Sequence, residues 1–517
     1  MKSFYSSLMR QAQDLVAREN LAPQDSASGK IRLIRMLNRR AAAGSELPVE
    51  LSDEECRLVL RIAAELFLQP SKSSRELADE LVLEREELVR LYRVIRNLRE
   101  IQQVLTFDSP LRRRVSFLRR ELLPENLATL RAMFQGDACT PSHVEFHPAL
   151  VCNLRCKACP NIHPDSSGAL HFLGYPNLGE PLTAERLRLV GDMFLELGVE
   201  SFSFGGGGEP SLSELTLDGI AHLRARSDRA QISLYTNGIF PKFWGKREYE
   251  TAVTCLNKVR FSIDASSAQE WSQYKGRPPE LFETLWENIQ KVVAAKKRTS
   301  GKIRVGASCL VSKYSYKNVE SFLVRAKATG LDFCDIKAVE TCFGEKAEYK
   351  AKSMDFRKSF EELLAKVREG HFAPMDVVVD DSLLPKDENQ PAQEPLTTHC
   401  WVAIRGRMLT VGPYGELHPC PDAANPGSQS RRGAEKAIGQ MSAFDAPETL
   451  KEQFTALWSE SLPRRTALSR GNCAYCVPSH KNYNLAVEKL YQDWNFGIMP
   501  EEQPLAGEQD HYLKSRG

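Results

Sequence analysis

The stretch VCNLRCKACP, residues 151–160, sets Cys152, Cys156 and Cys159 in a C-x-x-x-C-x-x-C array directly after the strand-like run SHVEFHPAL. Three thiols in eight positions point to a metal site rather than to core packing, because the thiolate is the metal-binding form of cysteine and iron–sulfur clusters are held by thiolates. Four-coordinate structural zinc usually takes two C-x-x-C-type pairs. Three cysteines on one tight loop instead reach three corners of a cubane and leave one iron open to another ligand.

Outward from this loop, strands and helices alternate. A helix around TAERLRLVGDMFLELG leads to SFSFGGGGEP, then helix 214–226, strand QISLYTNG, helix 247–256, strand KVRFSIDA, helix 280–296, strand KIRVGASCLV, helix 317–329 and strand FCDIKAVE. Six strand-then-helix units in sequence predict an α/β fold of parallel strands with right-handed crossovers, a whole or partial barrel. Chemistry in such folds sits at the C-terminal ends of the strands. The cysteine loop, the glycine run, Asn237, Asp264 and Glu340 all fall there.

The run Gly205–Gly208 followed by Glu209 and Pro210 lacks the Lys-Ser ending of a phosphate loop and the G-x-G-x-x-G spacing of a dinucleotide site. Its glycines allow a ligand close to the backbone, and Glu209 is an acceptor for a ligand ammonium. Ser262 and Asp264 stand two apart on one strand, so on one face, where a hydroxyl and a carboxylate suit a diol.

Over residues 143–342 these features resemble the radical S-adenosylmethionine (SAM) enzymes. The cysteine array matches their cluster signature; Gly207, Gly208 and Glu209 match the motif that binds the methionine amino group, with Asn237 at the next strand end; Ser262 and Asp264 match the ribose-contacting strand. One departure is Ala158, where many members carry an aromatic residue. The resemblance implies a partial (β/α)6 barrel and a [4Fe-4S] cluster with SAM on its open iron. It further implies a 5′-deoxyadenosyl radical that takes a hydrogen atom from substrate, the cofactor carrying the difficult chemistry. An electron donor such as flavodoxin or ferredoxin is implied too. Glu340, Lys337 and Tyr235, near strand ends, are the candidates for substrate contact or proton transfer. Lys337 and Glu340 are three apart and so face opposite ways in an extended strand.

A second cysteine set follows: Cys400, Cys420 in VGPYGELHPCPD, and Cys473 and Cys476 in GNCAYC. By residue type these four suit zinc as well as a cluster. A lone cysteine, a hairpin with a second, then a C-x-x-C resembles the Twitch/SPASM auxiliary-cluster domain, which implies a second [4Fe-4S] cluster over residues 396–495. Residues 343–395 read as a helix and a linker, and 496–517 as a polar tail. Cys342, near the sixth strand end, is a candidate hydrogen-atom donor; Cys56, Cys139, Cys255, Cys309 and Cys334 read as small buried hydrophobes.

Residues 1–135 read as a helical cap. Leu77, Leu81, Leu88, Leu91, Ile95 and Leu98 recur at helical spacing. A helix-turn-helix reading on DNA meets Glu84, Glu86 and Glu87 where phosphates would have to sit. This helical region resembles that of radical SAM enzymes that deaminate or dehydrate sugars. The reading is therefore an enzyme acting on a polar small molecule: a sugar, amino sugar or aminocyclitol. The alternatives are a peptide-modifying maturase and a redox-sensing DNA-binding regulator.

Composition agrees with a soluble enzyme. The 69 Lys and Arg against 67 Asp and Glu give +2, which provides no global pull toward nucleic acid or an anionic membrane. Thirteen cysteines without a signal peptide or membrane-length apolar run predict a reducing, cytoplasmic setting and no membrane partner. The oligomeric state is not set by the sequence.

Overall fold

The computed structural model describes residues 58, 62, 74–92, 124–338, 354–379, 383, 399–424, 437–467 and 478–497. The chain divides into two units: Met1–Phe134 with Lys386–His399 and Asn482–Pro504, and the remainder.

The larger unit is an α/β fold on one ten-stranded sheet, with a separate two-stranded antiparallel sheet of Ile162–Pro164 and Leu170–Phe172. The strands of the larger sheet are β1 Val144–Phe146, β2 Ser201–Phe204, β3 Gln231–Thr236, β4 Lys258–Ser262, β5 Arg304–Val311, β6 Phe333–Ala338, β7 Asp376–Val379, β8 Leu409–Val411, β9 Glu416–His418 and β10 Gly439–Gln440, in the order β10-β9-β8-β1-β2-β3-β4-β5-β6-β7. From β8 across β1 to β7 every neighbouring pair is parallel. Helices Ala184–Glu196, Glu214–Arg226, Lys246–Cys255, Glu280–Thr299, Val319–Thr329 and Met354–Arg368 occupy the crossovers between these strands.

Alternation along each strand explains the layering, since successive side chains face opposite ways. Phe146, Phe204, Leu234, Val259 and Val305 are buried, and the register sets them in one apolar row. Helix Ala184–Glu196 adds Leu187, Val190, Met193 and Phe194 at helical spacing, and the Thr183 hydroxyl caps it by accepting from Arg186 N. Each such side chain contributes about 1.5–3 kcal/mol on full burial. The opposite face is polar: Glu145 pairs across to Ser203 and Ser233, Tyr235 to Arg260, and Ser262 to Ser308 and Asp335.

Two segments fold differently from the linear reading. Residues 376–379, inside the expected linker, form β7, which adds to β6 in parallel. The two strands around Pro413-Tyr414-Gly415 extend the sheet through β8 on β1 rather than standing apart. Neither docking is encoded locally, because a three- or four-residue strand carries no signal for its partner.

In the smaller unit Ser74–Leu81 and residues 85–92 are helical, with Leu77, Leu81, Leu88, Leu91 and Tyr92 buried and Val82 turning between them at φ 53°. Tyr92 stacks on Phe496 with ring centroids 3.9 Å apart. Ile95, Leu98, Cys342 and Glu340 lie outside the described residues. Among the described residues no helix is long and apolar enough to cross a membrane.

His418 on β9 and His480 in helix Pro478–Asn495 are buried, and burial lowers their pKa to about 3 and about 4. Both values lie below the unfolded value of about 6.5, so between there and about pH 4 the unfolded chain binds more protons. The stability present above pH 6.5 is therefore lost on acidification. Urea denaturation should show a loss on the order of 2 kcal/mol per histidine between pH 7.5 and pH 5, and His418→Gln should remove one share of that slope.

Candidate functional site

The cysteine loop is pinned at several points. Arg155 N and Lys157 N donate to the carbonyls of Lys275 and Tyr274, both at 2.9 Å, and Cys159 N donates to Cys156 O at 3.0 Å. The Arg155 guanidinium donates to the carbonyls of Cys152 and Leu154. Helix Ala268–Lys275 ends at Gly276 in the left-handed region, where a Cβ would lie 2.8 Å from Arg155 O.

The three thiols face a shared, half-buried space. Burial pushes the Cys152 thiol up to about 12 and the Cys156 thiol up to about 11, and neighbouring thiols of the set add to both shifts. Thiols so placed stay protonated until a metal displaces the proton and releases it to solvent. Among the described residues no three His, Cys, Asp or Glu side chains converge on a single ion, which a cubane, with thiolates on separate irons, does not require. The donor set fits a cluster: three half-buried sulfurs on a backbone held from below, with Asn161 N donating to Cys159 Sγ at 3.4 Å.

The glycine run lies against this loop. A Cβ on Gly208 would stand 2.6 Å from Val151 O and 2.7 Å from Ala149 O, so only glycine permits the approach that lets Glu209 N donate to Val151 O at 2.9 Å. Gly207 is held at both ends, its N–H donating to Tyr175 Oη at 2.9 Å and its carbonyl accepting from Asn161 Nδ2 at 3.0 Å. Behind Tyr175, His147 Nδ1 lies 3.0 Å away, His147 Nε2 meets Glu145 Oε1 at 2.9 Å, and Ser203 Oγ donates to Glu145 Oε2 at 3.0 Å. Burial works to raise the Glu145 pKa, but these hydrogen bonds hold it below the usual range.

Glu209 is buried and already engaged. Its carboxylate accepts from Thr236 Oγ1 at 2.6 Å, Asn237 N at 2.7 Å and Ser211 N at 3.0 Å. Burial nonetheless raises its pKa. Asn237 Nδ2 donates to Asn153 Oδ1 at 2.7 Å, which ties the third strand end to the cysteine loop.

Ser262 and Asp264 part company. β4 ends at Ser262, and Asp264 turns to φ 64°, which breaks the alternation. Its Oδ1 accepts from Leu310 N at 2.9 Å and its Oδ2 from Lys275 Nζ at 2.5 Å. Ser262 stays half-buried on the polar face. On that face Tyr235 lies under the Arg260 guanidinium, 4.3 Å from ring centroid to Cζ, and Arg260 Nη1 reaches Asp335 Oδ2 at 3.4 Å. Lys337 is half-buried on β6. Cys309 and Cys334 are core residues.

Cys400 and Cys420 each precede a short helix, Trp401–Arg405 and Pro421–Ala424; Cys473, Cys476 and Glu340 lie outside the described residues. Asn161, Tyr175, His147, Glu145 and Lys275 are missing from the sequence reading. His143, Glu145 and His147 at every second position of a strand form a polar stripe that signals buried chemistry. Asn161 and Tyr175 sit in irregular backbone with no such signal.

Gly208→Ala should push Val151 and the cysteine loop away from the glycine run. We expect at least a tenfold loss of SAM affinity by equilibrium dialysis, with the unfolding midpoint of the chain little changed.

No protein-family model matches the chain. It is 32% identical over 125 residues to a probable GTP 3′,8-cyclase of Archaeoglobus fulgidus and 27% identical over 192 residues to the GTP 3′,8-cyclase of Klebsiella pneumoniae, matches covering 24% and 37% of this chain. The chain spans 36% and 53% of the lengths of these curated relatives. Among solved structures, Streptococcus suis SuiB bound to precursor peptide SuiA has a TM-score of 0.43 at 12% identity, covering 80% of this chain and 82% of that one. The anSMEcpe structure with bound AdoMet has a TM-score of 0.41 at 15% identity, covering 69% and 99%. Both are too distant to carry an assignment. These curated relatives are radical SAM enzymes, whose superfamily uses a [4Fe-4S] cluster and SAM, and this chain is similar to them over the stretches given.

Proposed function

We propose that this chain abstracts a hydrogen atom from a polar small molecule bound on the polar face of its sheet, which we read as the interior of a partial (β/α)6 barrel. The observation that carries the reading is the contact between Gly208 and the cysteine loop, which sets the candidate cluster and SAM sites side by side at the ends of β1 and β2. Bound there, a cluster and SAM would supply an electron and a hydrogen-abstracting radical. Cys152, Cys156 and Cys159 would hold the cluster, and the backbone of Gly207 and Gly208 with Asn237 and Ser262 would hold SAM. Glu209 and Asp264 act one step back, since their carboxylates are engaged in fixing the strand ends.

The substrate would lie over Tyr235, Arg260, Asp335 and Lys337. A row of hydroxyl, guanidinium, carboxylate and ammonium groups suits hydroxyls and amines better than an apolar ligand. This is the basis for preferring a sugar, amino sugar or aminocyclitol. Tyr235, Lys337 and Glu340 are the groups we assign to substrate contact and proton transfer, and closure of the face would keep water from the reacting carbon. Cys400, Cys420, Cys473 and Cys476 would hold an auxiliary cluster in a Twitch/SPASM-like segment, with flavodoxin or ferredoxin as electron donor.

Anaerobic reconstitution should load about eight irons per chain, falling to about four when Cys400 and Cys420 are replaced by Ala. With dithionite, the wild type should release 5′-deoxyadenosine from SAM, and Cys156→Ala should abolish release. Wild-type protein that takes up iron but never cleaves SAM would sink the reading. Cleavage stimulated by peptides alone, never by amino sugars, would move the substrate class to peptides.

A further inference from the structure

Lys275 ends helix Ala268–Lys275 with its side chain 3% exposed. An ammonium so enclosed is costly unless paired. Its Nζ donates to Asp264 Oδ2 at 2.5 Å and to Ser262 O at 3.0 Å. Asp264 meets it from a left-handed backbone, φ 64°, that non-glycine residues seldom adopt. A buried ion pair is a weak source of stability, because well-packed hydrophobic residues often replace one at no loss. Stability therefore does not account for this strained arrangement.

Its location does. The carbonyls of Tyr274 and Lys275 accept from Lys157 N and Arg155 N, the two amides that flank Cys156, and Gly276 removes the Cβ that would hold the loop off. The helix end that carries the ammonium is thus docked on the middle cysteine of the array.

We propose that Lys275, positioned by Asp264, sets the reduction potential of the cluster held by Cys152, Cys156 and Cys159, a role that rests on the cluster reading above. Reduction adds an electron to a group that three thiolates already make negative. A fixed cation on the helix end that holds the cysteine loop, in a poorly solvated site, favours the reduced form and raises the potential. The Asp264 carboxylate offsets part of that effect. The pair is thus a lever with two arms of opposite sign.

The test is a dithionite titration of the reconstituted full-length chain, followed by electron paramagnetic resonance of the signal that responds to SAM. Lys275→Met should lower the potential, with a tenfold shift of the one-electron equilibrium reading as about 59 mV. Asp264→Asn should raise it, and Lys275→Arg should stay near the wild type. Loosened packing would move Met and Asn variants in the same direction, so shifts of one sign, or no shift with iron content intact, overturn the proposal. If Lys275→Met fails to hold iron, Asp264→Asn still decides the sign. A wild type whose SAM-responsive signal survives Cys152→Ala and Cys156→Ala overturns the cluster reading instead.

Discussion

The hydrogen bond from Glu209 N to Val151 O closes the gap between two strand ends, and the rest of the site depends on it. It forms only because Gly208 has no side chain to meet the carbonyls of Ala149 and Val151. Once the two backbones touch, the neighbouring groups fall into place: Asn161 spans from Cys159 to Gly207, and Asn237 reaches Asn153 across the same seam. A single missing methyl group thus sets the separation between candidate cluster and candidate SAM cradle.

Much of this was legible in the chain because it is local. The cysteine spacing, the glycine run and the two-residue alternation of SFSF, KVRFS and FCDIKA each carry their meaning within a few residues, and they point to the correct strand ends. Roles that depend on distant partners were not legible. Asp264 reads as a diol ligand beside Ser262, yet a left-handed φ and a lysine eleven positions later draw it beneath the loop. Glu209 reads as a ligand for an ammonium, yet Thr236 and Asn237 engage its carboxylate. In both cases the carboxylate has partners within the fold that the local sequence does not show, because hydrogen-bonding capacity in a buried site is taken up by whatever donor folding brings near.

In the polar network from Gly207 through Tyr175, His147 and Glu145 to Ser203, donation converges on the Glu145 carboxylate, from Gly207 along one side and from Ser203 on the other. Gly207 N–H gives to the tyrosine oxygen, the phenol gives to His147 Nδ1, and the other imidazole N–H gives to Glu145. That ordering fixes the histidine tautomer and leaves the glycine amide only one orientation. Rigidity at Gly207 is therefore supplied from inside the sheet, from the same polar face that faces the proposed substrate.

The parallel pairing of Val144 with Leu409 has a consequence for how the chain acquires its shape. β1 is made early, but its free edge waits for a strand encoded near the other end of the chain. Until that strand arrives, a row of backbone donors and acceptors beside the cysteine loop stays open, a template for wrong partners. Contacts so far apart in sequence are also the slow ones. Sealing of the strand that leads into the cysteine loop therefore depends on a segment encoded far along the chain, and a chain cut before residue 409 leaves that edge exposed.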